Sequence, residues 1–236
     1  MTSRPTAMEN YYRRHLPHYQ PVGATYFVTF RLAGSLPAVI VADMLSERER
    51  QKHEMAAVKD KKVQLTRSRE SDRVYFLRFD SSLDRLEQGP TWLRIPAIAK
   101  IVDEAINHRD GSVYDLLAYS IMPNHVHMVF DLPNEGRSDI PDSTSSRTMS
   151  ESTLNRPYPV TRILASLKKY TARQANTELG RRGSFWQDES YDHVVRSDEE
   201  LEWVLWYVVS NPEKAGLVHS WREWKWTYCR HGLLSL

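Results

Sequence analysis

"SVYDLLAYSIMPNHVHMVFDL", residues 112–132, decides the fold. Two runs of aliphatic, aromatic and β-branched residues flank "MPN", and Pro and Asn in so short a connection suit a tight turn. The stretch therefore predicts an antiparallel hairpin, "SVYDLLAYSI" against "HVHMVFDL". Side chains alternate across a strand, so His125 and His127 share one face, about 7 Å apart along the chain. Val126, Met128 and Phe130 take the opposite, apolar face, and Val129 falls in line with His127. Two imidazoles on one face can converge on an ion, or they can be the wet side of a strand. The spacing leaves both open.

Outward from the hairpin, "ATYFVTFRL" (24–32) reads as a strand that ends before the turn-forming "AGSLP". "IPAIAKIVDEAINHRDG" (95–111) sets Ile98, Ile101, Val102 and Ala105 at helical spacing, with Gly111 at the exit. Between these lies a charged insertion, 37–70, whose segment "LSERERQKHEMAAVKDKKVQLTRSRE" mixes both signs without Gly or Pro. A long exposed helix or a disordered segment fits it better than core does. "RVYFLRFDSSLDRLE" (73–87) is compatible with strand or helix. After the hairpin, residues 133–156 are almost free of large apolar side chains and read as a flexible polar loop. "SFWQDESYDHVV" (184–195) contains a short strand. In "SDEELEWVLWYVVSNP" (197–212), Ser197 is a cap with Glu200 three residues on, and an apolar periodic run ends at Asn-Pro.

The chain has 236 residues, enough for a full core, and 41% hydrophobic content with seven tryptophans argues for a folded globule. One elaborated domain over 20–236 is expected. Its apolar runs fall short of the roughly 20 residues that span a bilayer. "MTSRPTAMENYYRRHLPHYQ" has no continuous apolar stretch, so no secretory signal is expected and the cytoplasm is. A single cysteine, Cys229, excludes an intramolecular disulfide and a Cys-rich zinc site. Any metal must use His, Asn, Gln or carboxylates.

Net charge is only +2, but its distribution is uneven. Residues 161–183 hold Arg162, Lys168, Lys169, Arg173, Arg181 and Arg182 against one acid, Glu178, on a helix expected to stop near Gly180. Lys168, Lys169, Arg173, Arg181 and Arg182 are candidate contacts to a phosphate backbone; a solvated helix face is the other reading. On the last helix Leu201, Val204, Leu205 and Val208 form an apolar stripe, and Tyr207 and Asn211, four apart, flank it. Such a flank can reach a sheet face. Equally, Tyr207 can be a boundary aromatic and Asn211 a helix C-cap before Pro212.

"YSIMPNHVHMVF" (119–130), "SLKKYTARQ" (166–174) and "FWQDESYDHVVRSDEELEWVLWYVVSNPEKAGLV" (185–218) together resemble the HUH-type single-tyrosine transposases, and among them the bacterial REP-associated tyrosine transposases. The similar region runs from Ala24 to Val218 outside the two polar insertions. The resemblance implies an α+β domain, a central antiparallel sheet with packed helices, ferredoxin-like or RRM-like in topology. It implies that His125, His127 and Asn211 bind a divalent metal ion and that Tyr207 is the nucleophile, with Tyr170 and Tyr191 as rivals. Mg²⁺ prefers oxygen ligands and imidazole suits Mn²⁺, so either ion is open. The implied activity is nicking and strand transfer on single-stranded DNA with hairpins, through a 5′-phosphotyrosine and a free 3′-hydroxyl. A catalytically silent hairpin-binding module is the alternative. The resemblance also implies a bacterial protein at the nucleoid when bound to DNA, acting as a monomer or a homodimer.

Overall fold

The computed structural model describes residues 11–13, 17–19, 23–56, 60–85, 89–133 and 159–234. Its strands are β1 (Tyr11–Arg13), β2 (Pro17–Tyr19), β3 (Thr25–Arg31), β4 (Asp115–Ile121), β5 (His125–Asp131), β6 (Tyr191–Val195) and β7 (Thr227–Cys229). Its helices are α1 (Ala38–Ala56), α2 (Lys61–Asp84), α3 (Pro96–Asn107), α4 (Pro159–Glu178) and α5 (Asp198–Lys214). β1 and β2 form a small sheet of their own, and the other strands form one antiparallel sheet in the order β6-β3-β5-β4-β7.

The sequence order β3-α3-β4-β5-α4-β6 and the spatial order β6-β3-β5-β4 make a ferredoxin-like β-α-β-β-α-β core. Each helix crosses between two parallel strands with a third strand lying between them. Such crossovers share one hand, so both helices fall on the same side of the sheet. α3 and α4 accordingly cover the face bearing Tyr26, Val28, Phe30, Val126, Met128 and Phe130. The opposite face, with Phe27 and Val129, receives α5 and the α2 residue Phe76. The fold is α+β, as the motifs imply.

The β4–β5 hairpin pairs Ser120 with His127 and Ile121 with Val126, and β3 pairs Thr29 with His127 and Arg31 with His125. A slip of one residue would turn His125 and His127 into the apolar layer under α3 and α4. Burying an imidazole there without a partner costs on the order of 2–7 kcal/mol, so the apolar set of β5 fixes the register that aims both rings the other way.

The charged insertion folds as two helices, α1 and the first part of α2, and α2 continues through 73–84. α5 begins where expected: Ser197 Oγ accepts the Glu200 amide at 3.2 Å. It does not stop at Asn-Pro. Pro212 lies inside the helix, which runs on to Lys214. A proline in the last turn removes a single backbone bond, and the Ala215 amide still reaches the Asn211 carbonyl at 2.9 Å. The expected flexible loop, 133–156, lies outside the described residues apart from Pro133. Among the described residues, no helix is long and apolar enough to cross a membrane.

Candidate metal centre

His125 and His127 are both fully buried. The wet-strand reading of the pair is therefore excluded. The Nε2 atoms of the two rings face each other 2.9 Å apart. The far nitrogen of each ring is fixed: His127 Nδ1 meets Thr29 Oγ1 at 2.8 Å, and His125 Nδ1 meets Asn124 Oδ1 at 2.6 Å. Asn124 Nδ2 donates to the Leu83 carbonyl at 3.0 Å, which turns its oxygen toward His125. An oxygen there accepts a hydrogen bond from Nδ1–H and leaves the lone pair of His125 on Nε2, directed into the cluster. Such outer contacts orient a metal-ligating imidazole and raise its basicity. Asn124→Ala should weaken Mn²⁺ binding about 10- to 100-fold, measurable by isothermal titration, with the fold retained.

A third group enters from α2. Asp80 Oδ1 lies 3.1 Å from His127 Nε2 and 3.6 Å from His125 Nε2. One atom from each of Asp80, His125 and His127 lies within 4.8 Å of the others. Asp80 Oδ1, Asp84 Oδ1 and Asn211 Oδ1 are buried oxygens without a hydrogen-bond partner. Unpaired buried acceptors beside two inward-facing imidazoles are costly alone, and a cation would satisfy them together. Two nitrogens with a carboxylate oxygen suit Mn²⁺ and other first-row ions, and the extra oxygens admit Mg²⁺. The donor set fits a divalent metal.

The last helix meets this cluster through Asp80. The Tyr207 hydroxyl donates to Asp80 Oδ2, and Asn211 Nδ2 donates to the same oxygen at 3.1 Å. Tyr207 is 7% exposed, its ring 5.8 Å from that of His127 and under the Lys214 ammonium, 4.6 Å from the ring centre. Tyr170 stands 49% exposed on α4, and Tyr191 packs on Phe76. Of the three tyrosines considered, Tyr207 has its hydroxyl on the carboxylate of the centre.

Burial pushes the Asp80 carboxyl up, but the facing His127 and His125 rings and the Tyr207 hydroxyl outweigh it and hold it below the usual carboxylate range. Burial, then the proximity of His127, lowers His125 to about 3, so its ring is neutral at physiological pH. Burial and the Asp80 charge raise the Tyr207 phenol above its ordinary value. Burial and Asp80 also hold Asp84 up at about 7. A carboxyl raised from 3.8 to about 7 adds stability that is complete below about pH 4 and is lost as pH rises through 7. Asp84→Asn should therefore raise the thermal midpoint of the metal-free protein at pH 8 and change it little at pH 4.

The five expected DNA contacts lie on or just beyond α4, across the sheet from the histidines. Lys169, Arg173 and Arg182 are exposed. Lys168 Nζ donates to the carbonyls of Gln187 and Asp188, at 2.8 and 3.0 Å. Arg181 donates to Asn176 Oδ1 at 2.7 Å and lies over the Trp92 ring. Trp186 is a core residue, its Nε1 donating to Thr171 Oγ1 at 2.8 Å. The C-terminal aromatic segment contributes β7 to the edge of the sheet, and the Trp224 indole donates to the Ile121 carbonyl at 3.0 Å.

No family model matches the chain. A Haemophilus influenzae protein named "Putative REP-associated tyrosine transposase" is 25% identical over 115 residues, which are 48% of this chain and 58% of that protein. This chain is similar to a REP-associated tyrosine transposase. The match spans little more than half of that relative's length. The solved structure of a REP-associated tyrosine transposase bound to a REP hairpin is similar at a TM-score of 0.45 and 15% identity, over 92% of this chain and 80% of that one. So distant a likeness carries no inference.

Asp80 is absent from the motifs that carry the resemblance to REP-associated tyrosine transposases. It does leave a trace in the sequence: Phe76, Asp80 and Leu83 recur at helical spacing, an acid set within an apolar stripe. All three are buried.

Proposed function

We propose that the protein nicks and rejoins single-stranded DNA at hairpin-forming repeats, with Tyr207 as nucleophile beside a divalent cation held by His125, His127 and Asp80. Asn211 completes the set through its unpaired Oδ1. The reading rests on one observation: Tyr207 donates its hydroxyl to the same carboxylate that faces the histidine pair, in a chain similar to a REP-associated tyrosine transposase.

A cation held by these residues would polarise the scissile phosphate and offset its charge. The chain's own groups do the rest. Tyr207 oxygen forms a bond to phosphorus while the bond from phosphorus to the 3′-oxygen breaks, leaving a 5′-phosphotyrosine and a 3′-oxyanion that takes a proton from water to become the 3′-hydroxyl. Burial disfavours a free phenolate, so the phenol must lose its proton as it attacks. Asp80 Oδ2, already the acceptor of that hydroxyl, is placed to take it. The phosphotyrosine conserves the bond energy, and attack by a 3′-hydroxyl rejoins the strand. Lys169, Arg173 and Arg182 attract the backbone of the hairpin, and their contribution falls with rising salt.

A second reading, binding without cleavage, is favoured by α2. This helix lays Asp80 and Phe76 against Tyr207, which is 7% exposed. Incubating labelled hairpin DNA with the protein and Mn²⁺ or Mg²⁺, then denaturing, decides between the two. The enzymatic reading expects an adduct that survives denaturation; binding with no adduct in either metal supports the module.

A further inference from the structure

Tyr207, Asn211 and Lys214 follow one another at i, i+4 and i+7 on α5, so two turns of the helix set them in one row. The first two donate to Asp80 Oδ2. The third ends in an ammonium over the Tyr207 ring, 4.6 Å from its centre. The charges of Asp80, Asp84 and Glu213 act on that ammonium, but among the described residues no hydrogen bond or close ion pair holds it. Lys214 is exposed, so DNA can reach it. The basic residues of the α4 region stand across the sheet, and Arg73 of α2 lies over the Trp203 ring at 4.4 Å. Lys214 is therefore the cation in contact with the ring of the proposed nucleophile.

Attack on a phosphodiester gathers negative charge on its two non-bridging oxygens, and donors aimed at those oxygens lower the barrier. A metal ion on the histidines and Asp80 would meet one of them; the other needs a second positive group. In a near-attack geometry the phosphorus stands about 3–3.5 Å from the attacking oxygen, and its non-bridging oxygens lie one bond further out. An ammonium over the ring of that tyrosine reaches one of them by turning about its flexible four-carbon stem. A metal ion would also offset the Asp80 charge that draws on Lys214, which frees the ammonium for the phosphate. We propose that Lys214 is a catalytic residue of the strand-transfer reaction, donating from its ammonium to the non-bridging oxygen of the scissile phosphate that the metal ion does not take. The inference rests on the reading of the protein as a single-strand nuclease with Tyr207 as nucleophile. Lys214 stays protonated throughout, and no bond to it forms or breaks.

The probe is a labelled hairpin with a single-stranded flank, selected from a randomised pool by the Tyr207→Phe protein, its cut position then mapped with the wild type and Mn²⁺. Lys214→Met should slow adduct formation about 10²- to 10³-fold, the loss that follows removal of one donor to a transition-state oxyanion. Lys214→Arg should recover most of that rate. The rise in thermal midpoint with Mn²⁺ should persist in both variants, whereas a residue that only shaped the centre would change it. A second measurement puts the change in the DNA, which leaves the protein fold untouched. Each of the two methylphosphonate isomers at the cut position exchanges one non-bridging oxygen for a methyl group. Binding by the Tyr207→Phe protein should fall about 10- to 100-fold with the isomer that loses the Lys214 contact, and adding Lys214→Met should cost that isomer nothing further. Adduct formation by Lys214→Met at the wild-type rate overturns the proposal and leaves the nuclease reading standing. So do a lost Mn²⁺ response in that variant and losses that add with both isomers. A wild-type protein that forms no adduct in either metal ends the nuclease reading, and the role of Lys214 falls with it.

Discussion

Tyr207→Phe should abolish the denaturation-resistant protein–DNA adduct expected of a tyrosine nucleophile and leave hairpin binding in place. The change removes one oxygen, the atom that would become bonded to phosphorus. Side chains that act as covalent nucleophiles are worth at least about 10³-fold in rate, so no adduct should be visible on a gel at matched times. The fold should tolerate the loss. The substituted ring keeps the contacts that Tyr207 makes to Phe27, Phe76 and Trp203, and Asp80 Oδ2 keeps its bond from Asn211. Removing one partner of a buried hydrogen bond costs about 1–3 kcal/mol, which a melt will register without unfolding the protein. Persistence of the adduct in Tyr207→Phe, with its loss in Tyr170→Phe or Tyr191→Phe, would move the nucleophile.

Mn²⁺ should raise the thermal midpoint of the wild-type protein, and EDTA should reverse the rise. A ligand at a hundred times its dissociation constant stabilises by about 2.7 kcal/mol. For a chain of this size that is about 5–10 °C. His125→Ala with His127→Ala removes two of the three inward-facing donors, and Mn²⁺ should then shift the midpoint by no more than about a degree. This measurement needs no DNA, so it reports on the centre independently of cleavage. The adduct should vanish in the same double variant. An unchanged Mn²⁺ shift there would place the metal elsewhere.

The hairpin and α5 were legible because their signals are local. Alternation over β5 separates Val126, Met128 and Phe130 from the histidines, and Ser197 with Glu200 marks the start of α5. Whether two buried imidazoles face a cation is not local. It depends on Asp80, some forty residues earlier, in a charged segment whose two signs mask its apolar stripe. Asn124 was legible as a turn residue, while its bond to His125 depends on the position of the Leu83 carbonyl. The side of the sheet taken by the basic helix follows from crossover hand, which composition does not encode. Lys169 and the histidines therefore read as neighbours in purpose yet stand on opposite faces. Pro212 reads as a terminator because proline disfavours helical geometry at the residue before it; the bond from Asn211 to Asp80 ties that turn into the core.

Asp80, His125, His127, Tyr207 and Asn211 all belong to one copy of the chain, with α5 packed on its own sheet. With α5 on its own sheet, a mixture of molecules lacking the tyrosine with molecules lacking the histidines should contain no intact centre. Each defect stays where it was made: such a mixture should regain no activity by subunit complementation, and adduct yield per molecule should survive dilution.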